Sequence, residues 1–157
     1  MIKVLFVCHG NTCRSPMAES IFTYLIKGKG LETQFRIRSA GVNPTELGVS
    51  PSYGTYNVLK EKDIPLVPHK TQQVFNWDYN DYDYLIGMDS SNVMAMQRIF
   101  VKDPKNKIYR LLDFTNSSGD VPDPMYTHDY VGTFEMISKG VKGFFDYLVK
   151  NGKVKLS

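Results

Sequence analysis

Residues 4–16 constrain the fold of this chain more than any other stretch. They continue an apolar run over 2–7, broken only by Lys3, which is the pattern of a strand buried on both faces. The run stops at Cys8, and Pro16 suits the first turn of a helix. A buried strand, a tight loop and a helix in this order indicate an α/β domain.

The loop between this strand and this helix has the features of an anion-binding site. Backbone N–H groups at a helix N-terminus are unpaired, and the helix dipole adds partial positive charge there. Cys8 and Arg14 would both face a bound anion, and a guanidinium matches two oxygens of a phosphate. Gly10 lets the backbone turn toward the ligand, and Asn11 tolerates a left-handed conformation. The stretch therefore predicts a cradle for a tetrahedral oxyanion beside a thiol.

The thiol becomes a nucleophile only as a thiolate, and a free cysteine titrates at about 8.5. Helix N–H groups, Arg14 and the hydroxyl of Ser15 would all favour the anion. A single cysteine after an apolar strand is more often a small buried hydrophobe, and a lone arginine is usually a surface charge. The order of these residues at one strand–loop–helix junction is what favours a nucleophilic site.

The rest of the chain alternates strand and helix patterns. We predict a three-layer α/β sandwich, with a four-stranded parallel sheet over 2–7, 35–40, 84–88 and 107–111. Helices are expected after Pro16, after Ser50-Pro51, over 93–100 and over 134–148, and 113–129 reads as a long loop. Ligands bind at the carboxyl ends of parallel strands, where Cys8 stands.

Composition narrows the function classes. The length predicts one domain over 1–157, and a net charge of +3 makes no case for nucleic acid. Two cysteines are too few for a disulfide scaffold, and three scattered histidines lack metal-ligand spacing. Without a signal or membrane-spanning pattern, we expect a cytoplasmic protein that does not bind membranes. We expect no metal or cofactor. We also expect a monomer, because the sequence shows no heptad repeat and no obvious strand edge that would pair with a second copy.

Residues 8–16, Cys-His-Gly-Asn-Thr-Cys-Arg-Ser-Pro, resemble the signature loop of the low-molecular-weight protein tyrosine phosphatases. The resemblance covers essentially the whole chain, because 39–41, 87–92 and 123–126 stand where that family has similar pieces. It implies hydrolysis of phosphotyrosine in proteins or peptides, with inorganic phosphate as the product. No metal is implied, since the loop and its arginine already neutralise the phosphate.

The resemblance also implies residue roles. Cys8 would form a cysteinyl-phosphate intermediate, Arg14 would stabilise the developing charge, and Asp123 would protonate the leaving oxygen and then activate water. From the residues alone, Asp123 is one of several acids in its loop, and only the family pattern selects it. The phosphate-binding residues implied are His9, Gly10, Asn11, Thr12, Cys13 and Ser15.

Substrate choice depends on departures from the family pattern. Thr45 stands in a loop where many relatives carry an aromatic residue, so Met125 and Tyr126 must form much of the cleft wall. Tyr126 can stack on a phosphotyrosine ring. Thr12 stands where tyrosine-specific relatives often have isoleucine, and family members acting on phosphoarginine resemble the chain there. Those members tend to lack the aromatic residue after Asp-Pro, so Tyr126 favours phosphotyrosine and phosphoarginine is the second candidate.

A reductase and a binding module are competing interpretations of the same loop. A thiol-dependent arsenate reductase shares the loop but needs more cysteines than Cys8 and Cys13. A phosphopeptide-binding module with a vestigial site predicts loss of Cys8, Arg14 or the acid, and all three are present.

Cys13 either packs the loop or forms a disulfide with Cys8 under oxidation, as the family's cysteine arrangement suggests.

Overall fold

A single parallel sheet organises the computed structural model, which describes residues 1–156. The strands are β1 (Ile2–Cys8), β2 (Phe35–Gly41), β3 (Tyr84–Gly87) and β4 (Ile108–Arg110), in the order β2-β1-β3-β4. All three strand pairs are parallel. The predicted four-stranded parallel sheet is confirmed, and β1, whose carboxyl end carries Cys8, lies inside it.

Helices cover both faces of the sheet, as predicted. They are α1 (Arg14–Gly28), α2 (Tyr53–Glu61), α3 (Asp78–Asp81), α4 (Ser90–Phe100), α5 (Pro124–Thr127) and α6 (Tyr130–Lys150), with short 3-10 turns at Glu32–Gln34 and Leu111–Phe114. Alternate residues of β1 enter two separate apolar clusters. Val4 and Phe6 pack with α1, α2 and α6, whereas Leu5 and Val7 pack toward α3 and α4. This alternation makes the three layers.

Two local predictions were wrong. The helix expected to open at Ser50-Pro51 begins at Tyr53, and its N-cap is Ser52, whose hydroxyl accepts the N–H of Thr55. The long loop predicted over 113–129 contains α5, which is capped by Asp123 with Pro124 at its first position. The Asp123-Pro124 pair thus starts a helix inside the predicted loop, because the carboxylate satisfies the free N–H of Met125.

No helix in the described part of the chain is long and apolar enough to span a bilayer. The longest helix, α6, is amphipathic instead. It contains the helix predicted over 134–148, and its core-facing residues are Phe134, Ile137, Val141, Phe144 and Leu148.

Candidate active site

The loop between β1 and α1 has one residue in an unusual backbone conformation and one close contact with β2. Asn11 has a φ of 59°, the left-handed conformation expected of it. Gly10 does not share this conformation, and a β-carbon on it would make only an ordinary contact of 3.8 Å with Thr12 Oγ1, so Asn11 alone carries the unusual backbone angle. Gly41, at the end of β2, allows the closest approach to the loop. A β-carbon on Gly41 would lie 2.8 Å from the carbonyl oxygen of His9.

The Cys8 thiol is buried and contacts two hydrogen-bonding groups. The backbone N–H of Asn11 donates to its Sγ at 3.3 Å, and Ser15 Oγ lies 2.9 Å away. Ser15 Oγ accepts a hydrogen bond from Asn11 Nδ2, so its own hydrogen points either at the sulfur or at the more distant carbonyl of Ala40, 3.4 Å away. The predicted pairing of Cys8 with Ser15 is therefore present in the structure.

A buried polar network braces the loop from behind. Asn11 Nδ2 also donates to Ser39 Oγ at 3.1 Å, and the Ser39 hydroxyl donates to Glu19 Oε1 at 2.7 Å. The Asn11 carboxamide oxygen accepts the backbone N–H of Gln72 and lies 2.7 Å from Nε2 of His69. Asn11 thereby joins the loop to β2 and to the segment before α3. The sequence predicted the left-handed conformation of Asn11 but not the partners Glu19, His69 and Gln72.

Glu19 and His69 form an unusual pair within this network. His69 Nδ1 lies 3.6 Å from Glu19 Oε1, and both side chains are almost fully buried. Burial raises the pKa of Glu19 to about 7, although the Ser39 hydroxyl acts in the opposite direction. Burial lowers the pKa of His69. Each shift favours the neutral form, so the brace costs the fold least when neither group is charged.

This pair makes the stability of the wild-type protein depend on pH. A carboxyl whose folded pKa is raised binds more protons when folded, so its contribution weakens as pH rises from about 4.5 through about 7. Replacing Glu19 by Gln removes the titrating group and keeps an oxygen that can accept the hydrogen bond from the Ser39 hydroxyl. We expect the unfolding free energy of Glu19→Gln, relative to wild type, to increase by on the order of 2 kcal/mol from pH 5 to pH 8. Urea unfolding at both pH values measures the difference, and a pH-independent difference contradicts the assignment.

Arg14 is held in place by a carboxylate and a carbonyl. Its Nη1 donates to Asp89 Oδ2 at 2.6 Å and to the carbonyl of Val121 at 2.9 Å. Burial lowers the pKa of Arg14, but negative charge on Cys8 and Asp89 outweighs it and the pKa is raised. Burial likewise opposes ionisation of Asp89, yet the bond from Arg14 leaves its pKa lowered. Asp89 also caps α4, and the sequence did not identify it as the partner of Arg14.

Asp123 reaches the loop from far along the chain. Its Oδ2 lies 3.6 Å from Arg14 Nη2, while its Oδ1 accepts the N–H of Met125 and caps α5. The other acids of that segment are engaged elsewhere: Asp113 and Asp120 pair with Arg110, and Asp129 caps α6. Among these four carboxylates, Asp123 is the one that the structure pairs with Arg14.

The predicted cleft residues lie around the loop. Met125 and Tyr126 are exposed on α5, directly after Asp123, and Tyr126 is 84% exposed. Thr45 is exposed in the segment 43–52, which is tied to the loop at both ends. The Asn43 N–H donates to the His9 carbonyl at 2.9 Å, and the Ser52 N–H donates to the Thr12 carbonyl at 2.8 Å.

Cys13 contacts groups that the sequence did not identify. Its thiol lies 3.2 Å from Ser52 Oγ and 3.6 Å from the hydroxyl of Tyr130, which also donates to Met125 Sδ at 3.8 Å. Tyr130 thus connects the loop with the segment that carries Asp123. Both cysteines are free in the structure, so Cys13 packs the loop here, and a disulfide with Cys8 under oxidation stays a prediction.

Comparisons with known proteins agree with this geometry. Residues 3–154 match the family model described as low molecular weight phosphotyrosine protein phosphatase. The low molecular weight protein-tyrosine-phosphatase PtpA of Staphylococcus epidermidis is 38% identical over 156 residues, which cover 99% of each chain.

Two solved structures from Bacillus subtilis are also similar. The crystal structure of YfkJ has a TM-score of 0.93 at 38% identity and covers 96% of each chain. The YwlE arginine phosphatase has a TM-score of 0.87 at 27% identity, covering 98% of this chain and all of that one. With a family model matched over nearly its whole length and relatives of this identity, the chain belongs to the low molecular weight phosphotyrosine protein phosphatase family.

Proposed function

We propose that the protein is a protein tyrosine phosphatase that uses Cys8 to hydrolyse phosphotyrosine in proteins and peptides. The observation that carries the proposal is the convergence of three groups at the end of β1. The Cys8 thiol lies among hydrogen-bonding groups, and the buried guanidinium of Arg14 stands between the loop and Asp123. Nucleophile, cation and acid are the groups that the hydrolysis of an aryl phosphate requires.

The first chemical step transfers the phosphoryl group to sulfur. The Cys8 thiolate attacks phosphorus, an S–P bond forms, and the P–O bond to the tyrosine oxygen breaks. Asp123 gives its proton to the departing oxygen. Asp89 and Val121 occupy Nη1 of Arg14, which leaves Nη2, on the side of Asp123, for the phosphate oxygens. In support, the solved YwlE structure is a cysteine-to-serine mutant with a phosphorylated active-site serine.

The second step returns the enzyme to its starting state. The Asp123 carboxylate takes a proton from water, the water oxygen bonds to phosphorus, and the S–P bond breaks. Inorganic phosphate leaves, and Cys8 is again a thiolate. The loop residues His9, Gly10, Asn11, Thr12, Cys13 and Ser15 are the proposed phosphate cradle through both steps, and the network behind Asn11 keeps the cradle preorganised.

Phosphotyrosine is the proposed substrate because Tyr126 follows the acid and is largely exposed, as a ring that stacks on an aromatic substrate must be. PtpA and YfkJ are named as tyrosine phosphatases. Phosphoarginine is the second candidate. Thr12 and the similarity to the YwlE arginine phosphatase favour it.

Rates on matched phosphotyrosine and phosphoarginine peptides separate the two substrates. We expect wild type to prefer phosphotyrosine, and Tyr126→Ala to lower kcat/KM for that substrate by about 3- to 10-fold, the value of one aromatic contact. Tyr126→Phe, which keeps the ring, is the matched control. A preference for phosphoarginine that Thr12→Ile abolishes would show that the second candidate is correct.

We further propose that residues 1–157 form one domain that acts as a cytoplasmic monomer. Free Cys8 and Cys13 fit a reducing compartment, where a thiolate nucleophile survives. Light scattering of the purified protein tests the monomer against the chain mass of 17.9 kDa.

A further inference from the structure

A cavity of about 570 Å³ lies beside the phosphate cradle and takes no part in the chemistry described above. One wall is the start of the segment after β2, another is the exposed face of α4, and the cradle residue His9 lies between them. The apolar lining consists of Val42, Ala95 and Ile99. The polar lining consists of His9, Asn43, Ser91 and Arg98.

Both walls of the cavity are hydrogen-bonded to the active site. On one side, the N–H of Val42 donates to the Cys8 carbonyl at 3.0 Å, and the N–H of Asn43 donates to His9. On the other side, the hydroxyl of Ser91 donates to Asp89 Oδ1 at 2.7 Å, and Asp89 holds Arg14. A group bound in this cavity would therefore lie next to the phosphate, at a position fixed by the same hydrogen bonds that hold the cradle.

The charge of the cavity is positive and uncompensated. Arg98 is the one lining residue with a permanent charge, and no carboxylate is among the described residues that line the cavity. Arg14 and Arg110 are both in ion pairs, but Arg98 makes none with any residue in 1–156. The nearby Asp89 is already neutralised by Arg14 at 2.6 Å. The guanidinium, the Asn43 carboxamide and the His9 imidazole together offer the donors that a carboxylate takes up.

We propose that this cavity is a substrate subsite that binds an acidic side chain flanking the phosphotyrosine, and that Arg98 determines this specificity. The inference rests on the proposed function. When the cradle holds the phosphate, the peptide backbone must run outside it across the rim, so its neighbouring side chains reach the cavities of that rim. Of these neighbours, an aspartate or glutamate complements Arg98, whereas a lysine or arginine would be repelled.

The test compares phosphotyrosine peptides that differ by a single Glu, Gln or Lys at each position within three residues of the phosphotyrosine. The readout is the ratio of kcat/KM between the Glu and Gln peptides, taken within one enzyme variant, so a general change in activity cancels. Arg98→Gln and Arg98→Glu are compared with Arg36→Gln. The control removes the same charge from an exposed arginine near the start of β2, at the opposite end of that strand from Val42 and Asn43.

For wild type and Arg36→Gln, we expect Glu at one or two positions to raise kcat/KM by about 2- to 5-fold over Gln, the range of an exposed ion pair. Arg98→Gln removes this advantage, Arg98→Glu transfers it to the Lys peptide, and added salt weakens it in wild type. A Glu advantage that survives in Arg98→Gln, or one absent from wild type at every position, overturns the subsite. Failure of wild type to hydrolyse any of the phosphotyrosine peptides overturns the proposed function instead, so the two failures are distinct.

Discussion

Replacing Cys8 by serine is expected to lower kcat on phosphotyrosine by at least about 10⁴-fold. A serine hydroxyl is a weak nucleophile without an adjacent base, and loss of a nucleophile costs other covalent hydrolases up to about 10⁶-fold. Around Cys8 the structure provides hydrogen-bond donors and a cation, which assist an anion but cannot accept a proton from a hydroxyl. Steady-state hydrolysis of a phosphotyrosine peptide measures the loss.

Cys13→Ser is the matched control, because the same atom is exchanged within the same loop. Cys13 belongs to the proposed cradle through its backbone, which the substitution keeps, whereas its thiol contacts Ser52 and Tyr130. We therefore expect this variant to keep most of its turnover. Thermal stabilisation by inorganic phosphate shows whether the cradle of Cys8→Ser remains folded. Undiminished turnover by Cys8→Ser would contradict covalent catalysis by this residue.

Replacing Asp123 by asparagine is expected to produce the second-largest effect, and one that depends on the leaving group. Asparagine can still cap α5 but has no proton to give. We expect kcat/KM, which reports the steps through formation of the phosphoenzyme, to fall by about 10²- to 10³-fold for phosphotyrosine, whose phenol has a pKa near 10. More acidic phenols leave without a proton more easily, so Asp123→Asn should slow hydrolysis of their aryl phosphates far less.

Asp120→Asn is the control for this experiment. It makes the same substitution in the same segment, but Asp120 pairs with Arg110 on the surface rather than with Arg14. A plot of log kcat/KM against leaving-group pKa should become steeper for Asp123→Asn and keep its slope for Asp120→Asn. Equal slowing of all substrates by Asp123→Asn would reject its role as the general acid.

The features that sequence reasoning predicted well are local ones. The buried run before Cys8, the cradle and the start of α1 lie within one continuous segment, so residue order alone indicates strand, loop and helix. The left-handed Asn11 follows from a conformational preference of its own side chain. The parallel sheet followed equally directly, because apolar runs alternate with helical patterns along the chain.

The features that were missed depend on partners distant in sequence. Glu19 lies on a helix that would suit a surface carboxylate, and only the approach of Ser39 and His69 makes it a buried brace. Likewise, Asp89 caps its helix by local rules, yet its bond to Arg14 joins the start of α4 to the start of α1, 75 residues away in sequence. Nothing in the local sequence separates Asp123 from its neighbouring acids. Only the family pattern selects Asp123 as the candidate general acid. The contact between Asp123 and Arg14 in the structure agrees with that choice.

The most direct test of the account is to identify the atom that carries phosphate during turnover. Wild-type enzyme is mixed rapidly with an aryl phosphate, quenched within the first turnover, digested and analysed by mass spectrometry. Covalent catalysis by Cys8 predicts a burst of phenol of about one per active site, with one phosphoryl group on the peptide containing Cys8, bound to its sulfur. Phenol and phosphate released together from the first turnover, or a phosphoryl group on any other residue, would contradict it.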